Sequence, residues 1–183
     1  YKIKGTVYDA NLRLFNKQEI NEINFDFEIK DNLYLLKKTK LKYEKIKLSS
    51  KSINIKNLKK NYLVEGDFIS EEVNLKNELL SIYLKKTIDE LNFRDIRFSS
   101  TNNFSFKLNK KFKFKDFNID SKMLIDELLI LNNLSLKKFF PEIKKNILFS
   151  NNKLSIKYKN DGLSINGNGN VLYQNKNDSL TYI

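Results

Sequence analysis

The chain has 183 residues, of which 31% are charged and 13% aromatic, and its formal net charge is +12. This length suffices for one hydrophobic core, and the chain is too rich in large side chains to be disordered. Neither cysteine nor histidine occurs, which excludes disulfides, zinc fingers and nucleophilic systems that use a Cys or a His base. No stretch approaches the roughly 20 uncharged apolar residues of a membrane-spanning helix.

Lysine supplies almost all of the positive charge, because arginine occurs only at Arg13, Arg94 and Arg97. Surfaces that read bases or clamp phosphates favour the arginine fork, and single-strand binders place aromatic rings on the basic face. Here the aromatic residues alternate with lysines, which directs them to the opposite face of a strand. We therefore expect no nucleic-acid partner. Attraction to anionic lipid head groups explains the charge equally well.

Apolar and polar residues alternate with a period of two through most of the chain. The clearest case is residues 23–30, in which Ile23, Phe25, Phe27 and Ile29 are separated by polar residues. Successive side chains of a strand point to opposite faces, so this pattern predicts strands with one apolar and one polar face.

The predicted elements begin with a strand over residues 1–15, whose apolar phase changes near Val7 and so indicates a bulge. Tight turns are predicted at 31–32 and 160–162. Further strands are predicted at 21–30, 33–48 (one long strand or a broken pair), 51–57, 61–69, 92–99, 103–109, 111–124, 125–131, 146–149, 153–159, 163–174 and 179–183.

One helix is predicted near residues 71–86. Ser70 offers a capping hydroxyl, and Glu71 and Glu72 would place acidic side chains in the first turn. The apolar residues from Val73 to Leu84 follow at helical spacing. A short helical turn is also predicted near residues 136–140.

Four of the five glycines lie in phase with apolar residues inside predicted strands, at Gly5, Gly66, Gly167 and Gly169. Glycine normally weakens a strand at such a position. These glycines therefore indicate curvature, a bulge, or a place where another group approaches the backbone.

Sequence signatures of catalysis are missing from the chain. It has no phosphate-binding loop. Carboxylates such as Asp26 with Glu28, or Asp126 with Glu127, could in principle pair for glycoside chemistry, but they lie among lysines on polar faces and favour a solvated surface. We expect no enzyme activity, no cofactor and no metal site.

Three groups of segments are similar to one known family. They are YLVEGDF (62–68) with ELLSIY (78–83), residues 99–114 with FNIDS (117–121), and FFPEIK (139–144) with LSIKY (154–158) and LSINGNG (163–169). Together they resemble the periplasmic AsmA-like proteins of Gram-negative bacteria, the YhdP and TamB group. The likeness spans most of the chain and consists of patterned strands, without catalytic motifs.

The resemblance implies a protein of the cell envelope, anchored to the inner membrane by a segment outside this chain. Proteins of this family build long, taco-shaped β grooves that carry phospholipid towards the outer membrane. The chain would then be one section of such a groove. Its partners would be phospholipid acyl chains, and, through flanking regions, the two membranes or other envelope proteins.

We therefore expect a mainly β fold over residues 1–183, in which a long, twisted antiparallel sheet forms an open groove with one apolar face. The alternative is a structural or adhesive β-sandwich, in which two apolar faces meet and no ligand is carried. Under the first hypothesis the groove is lined by Ile23, Phe25, Phe27, Ile29, Leu41, Tyr43, Ile53, Ile55, Val64, Phe68, Phe104, Phe106, Phe112, Phe114, Ile119, Ile156, Tyr158, Leu163, Ile165, Gly167 and Gly169.

Overall fold

The computed structural model describes residues 1–13, 19–76, 93–111, 113–131, 146–159, 162–173 and 176–182. These residues form ten β-strands and, within those ranges, no helix. The strands are β1 (Lys2–Arg13), β2 (Glu19–Lys30), β3 (Leu33–Tyr43), β4 (Ile46–Asn57), β5 (Asn61–Lys76), β6 (Phe93–Asn109), β7 (Phe114–Ile130), β8 (Ile147–Lys159), β9 (Gly162–Tyr173) and β10 (Lys176–Tyr182).

All ten strands belong to one open, antiparallel sheet in which the spatial order follows the chain from β1 to β10. Each strand therefore pairs with its neighbours in the sequence, as the frequent turn residues and alternating segments predict. The expected mainly β fold, built on one long antiparallel sheet, is confirmed. No helix of the described residues is long and apolar enough to cross a membrane.

Backbone contacts group the chain into two compact units. Unit 1 comprises residues 1–71, 100–121 and 156–164, and unit 2 comprises residues 72–99, 122–155 and 165–183. Strands β1 to β4 belong to unit 1 and β10 to unit 2, whereas β5 to β9 contribute residues to both.

Bulges keep the apolar residues of a strand on one face where the sequence changes phase. In β1, Asp9 has a left-handed φ of 48°, and the register with β2 shifts between Val7 and Ala10. The bulge predicted near Val7 is thus confirmed. Left-handed residues also occur within other strands at Glu22, Lys38, Glu72, Asp116 and Asn151. Each of these side chains is exposed, as expected for the extra residue of a bulge.

The predicted helix is wrong over residues 71–76, which continue strand β5. Ser70 is 2% exposed and lies on a sheet face, so it caps no helix. Val73 and Leu75 are 4% and 5% exposed and alternate with exposed Asn74 and Lys76. The left-handed bulge at Glu72 interrupts the alternation, and this interruption made a strand look helical. Residues 77–86, and the helical turn predicted at 136–140, lie outside the described residues.

Several predicted strands are joined into longer ones. For residues 33–48, predicted as one long strand or a broken pair, the structure shows the broken pair, because Glu44 and Lys45 form the turn between β3 and β4. The segments predicted at 92–99 and 103–109 are one strand, β6, and those at 146–149 and 153–159 are one strand, β8. The two segments of β8 looked separate in the sequence because the bulge at Asn151 changes the phase of the apolar and polar alternation.

Candidate functional site

Cross-strand pairs assemble an apolar face on β1 to β5, because residues directly opposite each other in an antiparallel pair point to the same side. One row of paired residues consists of Gly5, Phe27, Leu36, Ile53 and Gly66. The adjacent row consists of Ile3, Ile29, Tyr34, Ile55 and Val64. Beyond the bulges, Ile23 pairs with Ala10, Leu41 with Leu48, and Tyr43 with Ile20 and Ile46.

An aromatic row continues this face across β5 to β8 within unit 1. We define it as Phe68, Phe104, Phe106, Phe117 and Tyr158. Successive ring centroids are 5.2, 5.9, 6.4 and 6.0 Å apart. All of these rings keep part of their surface exposed, and Phe117 is 43% exposed. The row is therefore a continuous apolar surface, held by ring contacts worth roughly 0.5–1.5 kcal/mol per pair.

A polar row lies on the same face of β5, β6 and β7, and we define it as Ser70, Ser100, Asn102 and Ser121. The hydroxyls of Ser70 and Ser100 are 2.8 Å apart. Asn102 Nδ2 donates to Ser100 Oγ at 2.9 Å and to the carbonyl of Phe68 at 3.1 Å, and Ser121 Oγ donates to Asn102 Oδ1 at 2.5 Å. The three serines are at most 7% exposed. Since these polar groups satisfy one another, burial costs them little.

Glycine makes room on the apolar face for side chains from neighbouring strands. A Cβ at Gly5 would meet the ring of Phe27, and one at Gly66 would meet Ile53 and Phe104 at 3.1 Å. In unit 2, a Cβ at Gly167 would meet Leu154 and one at Gly169 would meet Asn152. Of the three alternatives that the sequence left open for these glycines, the structure shows the close approach of other groups, and those groups belong to the chain itself.

On the polar face, lysines surround the carboxylates of β1 to β3. Glu28 lies 2.7 Å from Lys2, 3.7 Å from Lys37 and 3.9 Å from Lys4, and the hydrogen bond from Lys2 lowers the pKa of Glu28. The hydrogen bond from Thr6, followed by that from Lys38, lowers the pKa of Asp26. A general acid needs a raised pKa, so these carboxylates behave as ionised surface groups.

The lowered pKa values also determine the direction in which pH changes the stability of the fold. A carboxylate whose pKa falls on folding binds fewer protons in the folded state than in the unfolded state. Its pairing therefore stabilises the fold above the ordinary pKa, 3.8 for Asp26 and 4.5 for Glu28. That contribution is lost as the pH falls below those values.

The second carboxylate pair considered from the sequence lies in unit 2. Glu127 is 3.3 Å from Arg97. Both line an open depression of about 780 Å³ together with Glu72, Asp126 and other polar residues. Over the described ranges, no group of three or more acidic side chains is placed to hold a metal ion.

The predicted lining residues differ in exposure. Phe114 is 68% exposed although its ring lies 5.0 Å from that of Phe106. Leu163 and Ile165 are 64% and 39% exposed, and Ile119 and Ile156 are half-buried. Phe112 lies outside the described residues.

Leu33 and Leu35, at the start of the segment predicted as a strand over 33–48, lie on the polar face of β3. They pair with Lys30 and Glu28 on the polar side, whereas Tyr34 and Leu36 point to the apolar side. A run of four apolar residues has no period-two signal, so only the pairing distinguishes the faces.

The residues predicted from the sequence to line the apolar face include neither Phe117 nor any member of the polar row. Ser100 and Asn102 precede Phe104 and Phe106 in the same phase, so extending the strand towards its N-terminus would have found them.

No protein-family model, curated protein or solved structure matches this chain. The resemblance to the AsmA-like family therefore depends on the sequence segments quoted above.

Proposed function

We propose that this chain is a section of a phospholipid-conducting β groove of the AsmA-like kind, in which the apolar face holds acyl chains while head groups stay in water. On this proposal it acts in the cell envelope of a Gram-negative bacterium and catalyses no reaction. Each methylene removed from water contributes about 0.8 kcal/mol. A surface of moderate apolarity that is continuous from strand to strand suits passage better than a deep pocket, because no single position binds tightly.

The observation that carries the proposal is the aromatic row. Five rings on four strands form an unbroken apolar surface in which each ring keeps part of its area exposed. Large contiguous apolar surfaces are uncommon on soluble proteins unless they bind something. The rings carry no ionisable group apart from the Tyr158 phenol, which fits a ligand that is apolar along its length.

The sandwich alternative requires a second sheet against this face. All ten described strands belong to one sheet, so the described part of the chain supplies no such second sheet. This favours a surface that holds a ligand over a closed two-sheet core.

Native mass spectrometry of the protein purified from bacteria, with extraction of bound lipid, tests the proposal. We expect phospholipid to co-purify with the wild-type protein in near-stoichiometric amount. Phe104→Asp should lower the retained lipid at least about tenfold, because a charge in contact with an acyl chain is costly to desolvate. Phe117→Asp, at a ring that is 43% exposed, provides a second variant that disturbs the fold less.

Leu33→Asp is the matched control, since Leu33 is 41% exposed and lies on the polar face beside Lys30 and Lys56. It should retain lipid as the wild type does. Circular dichroism establishes that each variant is folded. A lipid-free wild-type protein, or unchanged lipid in a folded Phe117→Asp protein, would contradict the proposal.

A further inference from the structure

The turns of the sheet are divided between two ends, because successive strands of an antiparallel sheet run in opposite directions. The turns β2–β3, β4–β5 and β6–β7 lie at one end of the strands, and the β3–β4 turn lies at the other. All four turns belong to unit 1. The two ends can therefore be compared within one compact unit.

Lysines without a carboxylate partner concentrate at the first end. We define the basic rim as the described residues of the β4–β5 and β6–β7 turns together with the described residues that flank them. Its lysines are exposed and form no ion pair with any carboxylate of the described residues; they are Lys56, Lys59, Lys60, Lys110, Lys111 and Lys113. At the opposite end, the β3–β4 turn and its flanking residues have two such lysines, Lys45 and Lys47. The lysines near Glu28 are neutralised by that carboxylate.

Exposed apolar side chains stand among these lysines. Leu58, in the β4–β5 turn, is 39% exposed, and Phe114, beside Lys113, is 68% exposed. Burial at the interface of a bilayer suits such residues, because the apolar group enters the acyl region while the lysine ammonium stays at the head groups.

Local hydrogen bonds hold both turns in shape. Asn57 Oδ1 accepts the N–H of Lys59 at 3.1 Å. Asn109 Oδ1 accepts the N–H groups of Lys111 and Lys113, each at 2.9 Å. The lysine backbones are thus positioned before any partner binds, which reduces the entropy lost on binding.

We propose that the basic rim docks on the surface of an anionic phospholipid bilayer. Charge complementarity identifies this occupant, because the charged side chains of the described residues in 56–60 and 109–115 are all lysines and the apolar Leu58 and Phe114 lie beside them. Arginine, which phosphate-clamping nucleic-acid sites prefer, does not occur in these two turns. The inference goes beyond the proposed function, since the rim lysines lie at the ends of the strands, outside the aromatic row. Phe114 contacts Phe106 of that row, so the test uses Leu58, Lys59 and Lys60, which are not part of it, and the docking can fail independently.

Cosedimentation with vesicles tests the docking. The protein should bind vesicles of phosphatidylcholine mixed with phosphatidylglycerol, bind pure phosphatidylcholine vesicles weakly, and dissociate as salt is raised. The double variant Lys59→Gln/Lys60→Gln should lose affinity for the anionic vesicles roughly 25-fold, which corresponds to about fivefold for each lysine. Leu58→Ser should weaken binding at all salt concentrations, because the apolar contribution is not screened.

The matched control is Lys45→Gln/Lys47→Gln, which removes the same charge at the β3–β4 turn on the opposite end. It should bind within about twofold of the wild type. Equal losses in the two double variants would overturn the proposal, because the attraction would then follow net charge alone. Stronger binding to a single-stranded oligonucleotide than to anionic vesicles at the same salt concentration would also overturn it.

Lipid retention in native mass spectrometry should be unchanged in Lys59→Gln/Lys60→Gln, which separates this test from that of the aromatic row.

Discussion

On the apolar face of β5, β6 and β7, the aromatic row lies beside the polar row, only a few residues apart along each strand. The rings are large and apolar but keep part of their surface exposed, whereas the serines are small, polar and almost completely buried. This reverses the usual distribution of residue types between surface and interior. The two rows therefore have different roles although they share the same strands.

The contrast indicates which interactions hold the sheet and which remain available to a partner. The polar row uses its donors and acceptors internally, from the Ser70 hydroxyl to the Asn102 amide. The rings of the aromatic row contact one another and Phe114, and each keeps part of its surface exposed. We therefore propose that stability depends mainly on the polar row, which leaves the aromatic row for the ligand contact of the proposed function, and this assignment predicts unequal mutational effects.

The largest effect is expected for Asn102→Leu. The change removes the acceptor of the Ser121 hydroxyl and the donor to the Phe68 carbonyl. A buried polar group left unsatisfied costs roughly 1–3 kcal/mol, so the free energy of unfolding should fall by about 3 kcal/mol. Urea unfolding measures this value. Asn103→Leu, at an exposed position of the same strand, should change stability by no more than about 0.5 kcal/mol. If the free energy of unfolding of Asn102→Leu falls by less than about 1 kcal/mol, the polar row is not the main source of stability.

A smaller loss, about 1–2 kcal/mol, is expected for Phe104→Ala in the same unfolding experiment. The variant loses ring contacts with Phe68 at 5.2 Å and with Phe106 at 5.9 Å, each worth roughly 0.5–1.5 kcal/mol. Because the ring is only half-buried, the substitution removes little buried apolar surface beyond these ring contacts. If Phe104→Ala costs more than Asn102→Leu, the aromatic row is a closed core and the contrast between the rows is wrong.

The smallest effect, of opposite sign, is expected for Thr39→Val. Thr39 is 4% exposed, and its hydroxyl has no hydrogen-bond partner among the described residues. Replacing the hydroxyl by a methyl group removes an unsatisfied buried group, so stability should rise by up to about 1 kcal/mol. Thr101→Val, at an exposed position of β6, should be nearly neutral. A clear loss of stability in Thr39→Val would show that the hydroxyl has a partner in solution.

Much of the fold could be predicted from the two-residue period with which apolar and polar residues alternate. The alternation in residues 23–30 placed Phe25, Phe27 and Ile29 on one face, and the register of β2 with β1 agrees. The phase change near Val7 correctly indicated a bulge, because a single extra residue is the simplest way to move an apolar set back to its face.

The prediction failed where two periods fit the same residues. Residues 70–76 contain a helix-capping signal and also an alternation of Val73 and Leu75 with polar neighbours. Pairing with the neighbouring strands makes these residues part of β5. The exposed, left-handed Glu72 is the extra residue at which the alternation changes phase. Local propensity could not decide this, because the energy of pairing comes from residues distant in the sequence.

By itself, the sequence determined that this chain forms amphipathic strands, where most of them lie and, where the alternation is regular, which side chains share a face, because these properties follow from the period of neighbouring residues. The tertiary structure alone decided that Leu33 and Leu35 lie on the polar face, that Ser70, Ser100, Asn102 and Ser121 meet as one buried row, and that the rings of four strands align into a surface. These properties depend on register between strands, which turn geometry and the apolar patterns of both partner strands set together, so the period within one strand does not give it.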